Sequence, residues 1–278
     1  KSSLKNEDEN GEKGKTDKPG YIVFDNATLK YTADAAPALK NVSFGVEKGE
    51  TIGIIGGTGS GKSSLVSLIP HFYDVSSGGV YLEGKNVAAY DADELRKKIA
   101  VVPQKAVLFK GTVRSNLAWG NPAAETDDAL AWAALETAQA DDVVKGKGGL
   151  DAEVEQGGGN LSGGQKQRLT VARALIKDAD ILILDDSSSA LDYATERALT
   201  TAIQKRQKEK KQTVFIVSQR ASSLLTADKI LVLDEGEVIG LGKHEELLKT
   251  CPVYREIYEF QYGTAGNGGE NNGEANGK

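Results

Sequence analysis

Lys62 and Ser63 close a glycine-rich run, Gly56-Gly57-Thr58-Gly59-Ser60-Gly61, in the pattern G-x-x-x-x-G-K-S, with Ser64 next. Glycines let backbone N–H groups approach phosphate oxygens with no Cβ in the way. A helix starting at the end of such a loop adds positive partial charge. In this arrangement Lys62 reaches the β and γ phosphates of a nucleotide, and the Ser63 hydroxyl is a ligand for Mg²⁺. ATP and Mg²⁺ are the expected ligands.

Two further groups extend that chemistry. Asp185 follows the apolar run Ile181-Leu182-Ile183-Leu184. A carboxylate at the carboxyl end of a buried strand lies where α/β proteins bind ligands, and it can hold Mg²⁺ directly or through water. About a hundred residues after the glycine loop stands Leu161-Ser162-Gly163-Gly164-Gln165. Ser162 suits a helix cap. Capping alone does not call for two glycines and a glutamine, and the pattern predicts a second anion site at a helix start.

These motifs, in this order, resemble the ATP-binding cassette (ABC) ATPases, and the resemblance runs from Tyr21 to Tyr262. It implies that Tyr31 stacks on adenine and that Gln104 senses Mg²⁺ and a membrane domain. It implies that Leu161 to Gln165 reach a γ phosphate held by another subunit. Ser189-Ala190-Leu191-Asp192 matches the loop that crosses the dimer interface. Phe109 to Asn116, Gly242 to Leu248 and Tyr254-Arg255-Glu256 resemble the exporter branch. Glu153 to Gly158 is a variant of an exporter pattern, with the usual glycine–glutamate order altered to Glu155-Gln156.

Two positions depart from the family. Asp186 stands where the resemblance implies a catalytic Glu, and Gln219 where it implies a switch His before Arg220. Asp is one methylene shorter, so its carboxylate withdraws by about 1 Å, a misplacement that can reduce a rate by about 10²-fold. Gln219 donates a hydrogen bond but neither takes a proton nor becomes positively charged. The pair resembles the degenerate half of a heterodimeric exporter. The alternative is a regulatory clamp that holds ATP without useful turnover.

The elements that must position these groups are legible as an α/β pattern. Thr51 to Ile55 reads as a buried strand feeding the glycine loop. The following helix carries Leu65, Leu68 and Ile69 on one face. Ile181 to Leu184 is expected at the centre of a parallel sheet, with Val214 to Val217 and Ile230 to Leu233 as further strands. Tyr21 to Phe24, Ala27 to Tyr31 and Val42 to Val46 read as short antiparallel strands. Asp127 to Gln139 is alanine-rich and helical, within an all-helical insertion from Thr112 to Gly149. Pro252 to Tyr262 reads as a final helix, with Tyr254, Ile257, Tyr258 and Gln261 at i, i+3, i+4, i+7.

The expected fold is therefore a P-loop ABC ATPase core, a mixed or parallel sheet with helices and an antiparallel β subdomain, plus an all-helical signature subdomain near 105–178. Residues 1–20 read as a flexible linker, 21–262 as the nucleotide-binding domain and 263–278 as a disordered tail.

The chain has 278 residues and a net charge of −6. An acidic chain with few aromatics argues against a nucleic-acid partner, and the basic run Lys205 to Lys211 reads as a solvated helix face. Cys251 is the sole cysteine, so no internal disulfide forms, which suits a reducing compartment. No apolar run reaches the ~18–20 residues needed to cross a bilayer. The chain begins at Lys1 and holds no methionine, and the missing initiator predicts a piece of a longer protein. A chromosome-structure ATPase is disfavoured by the absence of heptads and cysteine clusters. The resemblance implies a transmembrane domain upstream in the parent chain, a second nucleotide-binding domain on a different chain, and a place on the cytoplasmic face of a cell membrane.

Overall fold

A run of strands opens the described part of the chain, which in the computed structural model comprises residue 16 and residues 18–262. The tail expected at 263–278 and most of the linker expected at 1–20 lie outside it. In chain order come β1 (Ile22–Leu29), β2 (Leu39–Val46), β3 (Thr51–Ile55), α1 (Lys62–Ser67), β4 (Ser77–Leu82), β5 (Lys85–Asn86), α2 (Ala92–Lys97) and β6 (Ile99–Val102). Then follow β7 (Gly111–Thr112), α3 (Val113–Ala118), α4 (Asp128–Thr137), α5 (Asp141–Gly146), β8 (Glu153–Val154) and α6 (Gly163–Leu175). The last group is β9 (Ile181–Asp185), α7 (Tyr193–Lys210), β10 (Thr213–Val217), β11 (Lys229–Asp234), β12 (Glu237–Gly242), α8 (His244–Thr250) and α9 (Pro252–Tyr262).

Six strands form the central sheet in the order β12-β11-β3-β10-β9-β6. All neighbours are parallel except the edge pair β11–β12. β9 thus lies next to the β6 edge, and β3 and β10 hold the centre, which corrects the position expected for Ile181 to Leu184. A strand is apolar throughout because both its faces are covered, wherever it stands in the sheet. Leu182 and Leu184 pack into one core, and Ile181 and Ile183 into the other.

A second sheet, β2-β1-β4-β5, is antiparallel. The two strands expected from Tyr21 to Tyr31 are one strand, β1, broken in register near Asp25. Asn26 has φ 46°, and this irregularity gives the sequence its appearance of a turn. Between β6 and β9 the chain is mainly helical, with α4 and α6 packed around Ala131, Leu135 and Leu169, but the antiparallel pairing of β7 with β8 corrects the expectation that this region is all-helical. The two-stranded ribbon β7–β8 flanks the helices α3, α4 and α5. No helix among the described residues is long and apolar enough to cross a membrane.

Candidate functional site

β3 is buried along its whole length and delivers the chain into the glycine loop. Gly56 is needed there because a Cβ would meet the Leu233 carbonyl oxygen at 2.1 Å. Gly61 has φ +101°, and a Cβ would lie 2.7 Å from the Ala38 oxygen. α1 starts directly after it, with the Leu65 amide donating to Gly61 O at 2.9 Å. The Lys62 ammonium folds back over the loop and donates to the carbonyls of Gly56 (2.9 Å) and Gly57 (2.7 Å). Burial lowers its pKa, opposed by the carboxylates of Asp186 and Asp185.

The parallel register of β9 and β10 sets Asp185 beside Val217, so the carboxyl ends of both strands open on the same edge. Ser63 Oγ donates to Asp185 Oδ1 at 2.9 Å across that edge. Burial raises the Asp185 pKa, and the Ser63 hydrogen bond pulls it back only in part. A half-buried carboxylate and a hydroxyl in contact, with Gln104 nearby, form an all-oxygen donor set that fits Mg²⁺. Such an ion takes one or two carboxylates and completes its shell with phosphates and water.

Asp186 follows β9 in a left-handed conformation, φ 47°, with its amide donating to Val217 O at 3.0 Å. Its Oδ2 receives two side-chain amides, Gln104 Nε2 at 3.2 Å and Gln219 Nε2 at 3.4 Å. Three segments distant in sequence therefore converge on one oxygen.

A cleft of 310 Å³ joins these groups. Thr58, Gly59, Gly61, Lys62, Ser63 and Ser64 form one wall, and Gln104, Asp185, Asp186 and Gln219 another. Gly56 and Ser60 are buried behind this surface, and Gly57 is exposed outside the cleft lining. Tyr31 lies at the rim, past the end of β1, half-exposed, with its hydroxyl 2.7 Å from Ser64 Oγ and its ring edge-on to Tyr73.

The described residues lining the cleft include none of Leu161 to Gln165. Those residues open α6, and Ser162 is its N-cap. The Gln165 amide donates to Ser162 Oγ (3.3 Å), and the Ser162 amide donates to Gln165 Oε1 (3.0 Å). This reciprocal pair is a capping box. It corrects the expectation that capping leaves the glutamine unexplained. Gly164 has a separate reason: a Cβ there would sit 3.1 Å from the Ala190 oxygen, whereas one on Gly163 would meet only Ala190 Cβ at 3.7 Å. The start of α6 therefore packs on Ala190 and Leu191, the middle of Ser189-Ala190-Leu191-Asp192 in the same chain. Asp192 in turn caps α7 by accepting from the Thr195 amide at 3.0 Å.

In the exporter-like stretch, Asn116 is buried and closes a turn by bonding both the amide and the carbonyl of Phe109. Val107, Phe109 and Trp119 remain exposed. Sequence reasoning missed Glu196. It is buried on α7, accepts from Ser188 Oγ at 2.6 Å and from Ser223 Oγ, and pairs with Arg220 Nη1 at 2.6 Å. Its only signal is a Glu in the first turn after a capping Asp, which reads as a helix-dipole contact.

Comparison with known proteins gives a consistent set of likenesses. A family profile described as "ABC transporter" matches residues 39–189. The chain is 43% identical over 247 residues to an uncharacterized ABC transporter ATP-binding protein, YfiB, of Bacillus subtilis (strain 168), covering 89% of this chain and 42% of that protein. It is 40% identical over 242 residues to the ATP-dependent lipid A-core flippase of Pasteurella multocida (strain Pm70), covering 87% and 41% respectively. A solved structure of a bacterial Atm1-family ABC exporter with ATP bound superposes with a TM-score of 0.82 at 34% identity, covering 86% of this chain and 42% of that one. The chain thus spans less than half the length of the relatives it matches.

Proposed function

The chain belongs to the ABC transporter family, and from that premise we propose that it is the ATP-binding and ATP-hydrolysing domain of a heterodimeric exporter. One observation carries the reading: a single cleft collects Lys62, Ser63, Gln104, Asp185, Asp186 and Gln219. Lys62 and the loop amides bind and orient the phosphates. Ser63, Asp185 and Gln104 would hold Mg²⁺, which when bound neutralises charge on the β and γ phosphates. Asp186 and Gln219 occupy the base and switch positions. The chain's own site therefore binds ATP and turns it over slowly.

The separation of Leu161 to Gln165 from this cleft supports a role in trans, completing the site of a second nucleotide-binding domain. The exposed Val107, Phe109 and Trp119 support contact with a transmembrane domain, and hence a place on the cytoplasmic face of a membrane. A second reading, a clamp that binds ATP without useful turnover, rests on the same two residues, Asp186 and Gln219. Hydrolysis measured for this chain alone and mixed with its partner half-transporter separates the readings. The exporter reading expects little activity alone and activity in the mixture that depends on this chain's signature. Signature-independent activity in the mixture would leave only the clamp.

A further inference from the structure

The loop of Gln219 is gripped from the far end of the chain. Gln261, in the last turn of α9, accepts from the Ala221 amide at 2.8 Å through Oε1 and donates to the Gln219 carbonyl at 2.6 Å through Nε2. One primary amide thus pairs with the backbone on both sides of Arg220, as a neighbouring strand would. Arg220 is itself held by Glu196 at 2.6 Å. The helix that carries Gln261 is well anchored. Tyr254 is fully buried with its hydroxyl 2.8 Å from His244 Nδ1, and Ile257 and Tyr258 pack against the cluster of Ala221 and Leu224.

We infer that Gln261 is a positioning residue, fixing the backbone at Gln219 so that its side chain faces Asp186 and the γ-phosphate position. The inference rests on the nucleotide-site reading above. The Gln219–Asp186 contact is long, 3.4 Å, so a backbone shift of about 1 Å would break it. An amide that satisfies one donor and one acceptor of the same loop removes that freedom. Gln261 interrupts the apolar i, i+3, i+4, i+7 stripe of α9, and this contact accounts for a polar residue there. Gln261 is exposed, so its replacement leaves the core intact.

The test compares wild type, Gln261→Ala and Gln261→Glu by titration with Mg-ADP and Mg-ATP, with hydrogen exchange at Ala221 read in parallel. Glu keeps the size and the acceptor but cannot donate to the Gln219 carbonyl. Both variants are expected to keep the melting temperature and the Mg-ADP affinity. Their preference for Mg-ATP over Mg-ADP should fall about 3- to 10-fold, the range for one or two neutral hydrogen bonds. Gln261→Ala should also expose the Ala221 amide. In a Gln219→Ala background, Gln261→Ala should have no further effect on the preference. An additive effect there overturns the proposal. So does an unchanged preference, or an equal loss of ADP and ATP affinity, which marks a structural role only. A wild-type chain that binds both nucleotides without preference overturns it while leaving the nucleotide site in place. A wild-type chain that binds neither overturns the site reading as well.

Discussion

Gln219 Nε2 donates to Asp186 Oδ2 at 3.4 Å, joining the two residues to which the proposed mechanism assigns the switch and base positions. Gln104 donates to the same oxygen at 3.2 Å. One carboxylate oxygen is thus engaged by two amides from separate loops, and in the proposed mechanism Oδ1 is the oxygen that meets the attacking water. The cleft orders its groups around a short acid and a neutral switch. In the proposed mechanism binding and turnover rest on different residues, and each can be perturbed separately.

Binding should depend most on Lys62. Its ammonium is held over the Gly56 and Gly57 carbonyls and is free to exchange them for phosphate oxygens. Lys62→Ala should weaken Mg-ATP by about 10- to 100-fold, the range for losing charge-assisted hydrogen bonds. Calorimetric titration of wild type and variant checks this. Equal affinities would remove the glycine loop from the nucleotide site.

Asp185 gives a prediction in pH and metal together. Burial raises its folded-state pKa above the ordinary carboxylate value. The folded state therefore binds this proton more readily than the unfolded chain. Its contribution to stability is present at low pH and is lost as pH rises through the raised value. At neutral pH and without a cation, the ionised carboxylate is a burden on the fold. Asp185→Asn should leave the nucleotide-free melting temperature at pH 7 unchanged or higher. It should also weaken the Mg²⁺-dependent part of ATP binding by about tenfold or more. Thermal melts with and without Mg-ATP read both effects. A variant that melts lower yet keeps its Mg²⁺ response would assign Asp185 a structural role.

The start of α6 needs two variants, because Ser162 is both cap and candidate ligand. Ser162→Ala removes half of a capping box and should cost about 1 kcal/mol, or about 2–4 °C in melting temperature for a domain of this size. Gly163→Glu is the cleaner probe of function. A Cβ there meets only Ala190 Cβ, at 3.7 Å, and an acid in the first turn suits the helix dipole. Stability should stay within about 0.5 kcal/mol. A negative charge at the anion site should lower hydrolysis by the assembled complex by about 10²-fold or more. Full activity with Gly163→Glu would sink the role in trans.

How far the sequence foretold this site depends on how local each signal is. The loop from Gly56 to Ser63 is contiguous, and its strand, turn and helix lie within a few residues, so chemistry and geometry were read together. Asp185 was legible for the same reason, as the end of an apolar run. The convergence of Gln104 and Gln219 on Asp186 was not, because it depends on β6 and β10 both pairing with β9 in register. The reciprocal bonds of Ser162 and Gln165 were within reach, since S-x-x-Q before a helix is a cap signature. There the glycines drew the reading toward an anion site. Gln261 was visible as a polar residue on an apolar stripe, and only the fold shows what it holds. β12, whose burial alternates, and the short α8 carry signals too brief to read.

The last prediction concerns turnover at the chain's own site. Asp186 is short for a base, and Gln219 carries no proton, so hydrolysis should run about 10²-fold below a Glu–His site. That corresponds to roughly 2.7 kcal/mol of transition-state stabilisation. Asp186→Glu alone should recover part of the rate. It should also destabilise the fold by up to about 1 kcal/mol, because φ at this position is 47° and Asp tolerates the left-handed region better than longer side chains. Asp186→Glu with Gln219→His should recover more than the two single changes combined, since residues acting as a unit are not additive. The histidine would sit on the loop that Gln261 and Glu196 hold, so the scaffold for the switch is already in place. Single-turnover assays on the assembled pair, with the partner's own site disabled, isolate this reaction. Fast turnover by the unmodified chain in that assay would establish Asp186 as a competent base and end the degenerate-site reading.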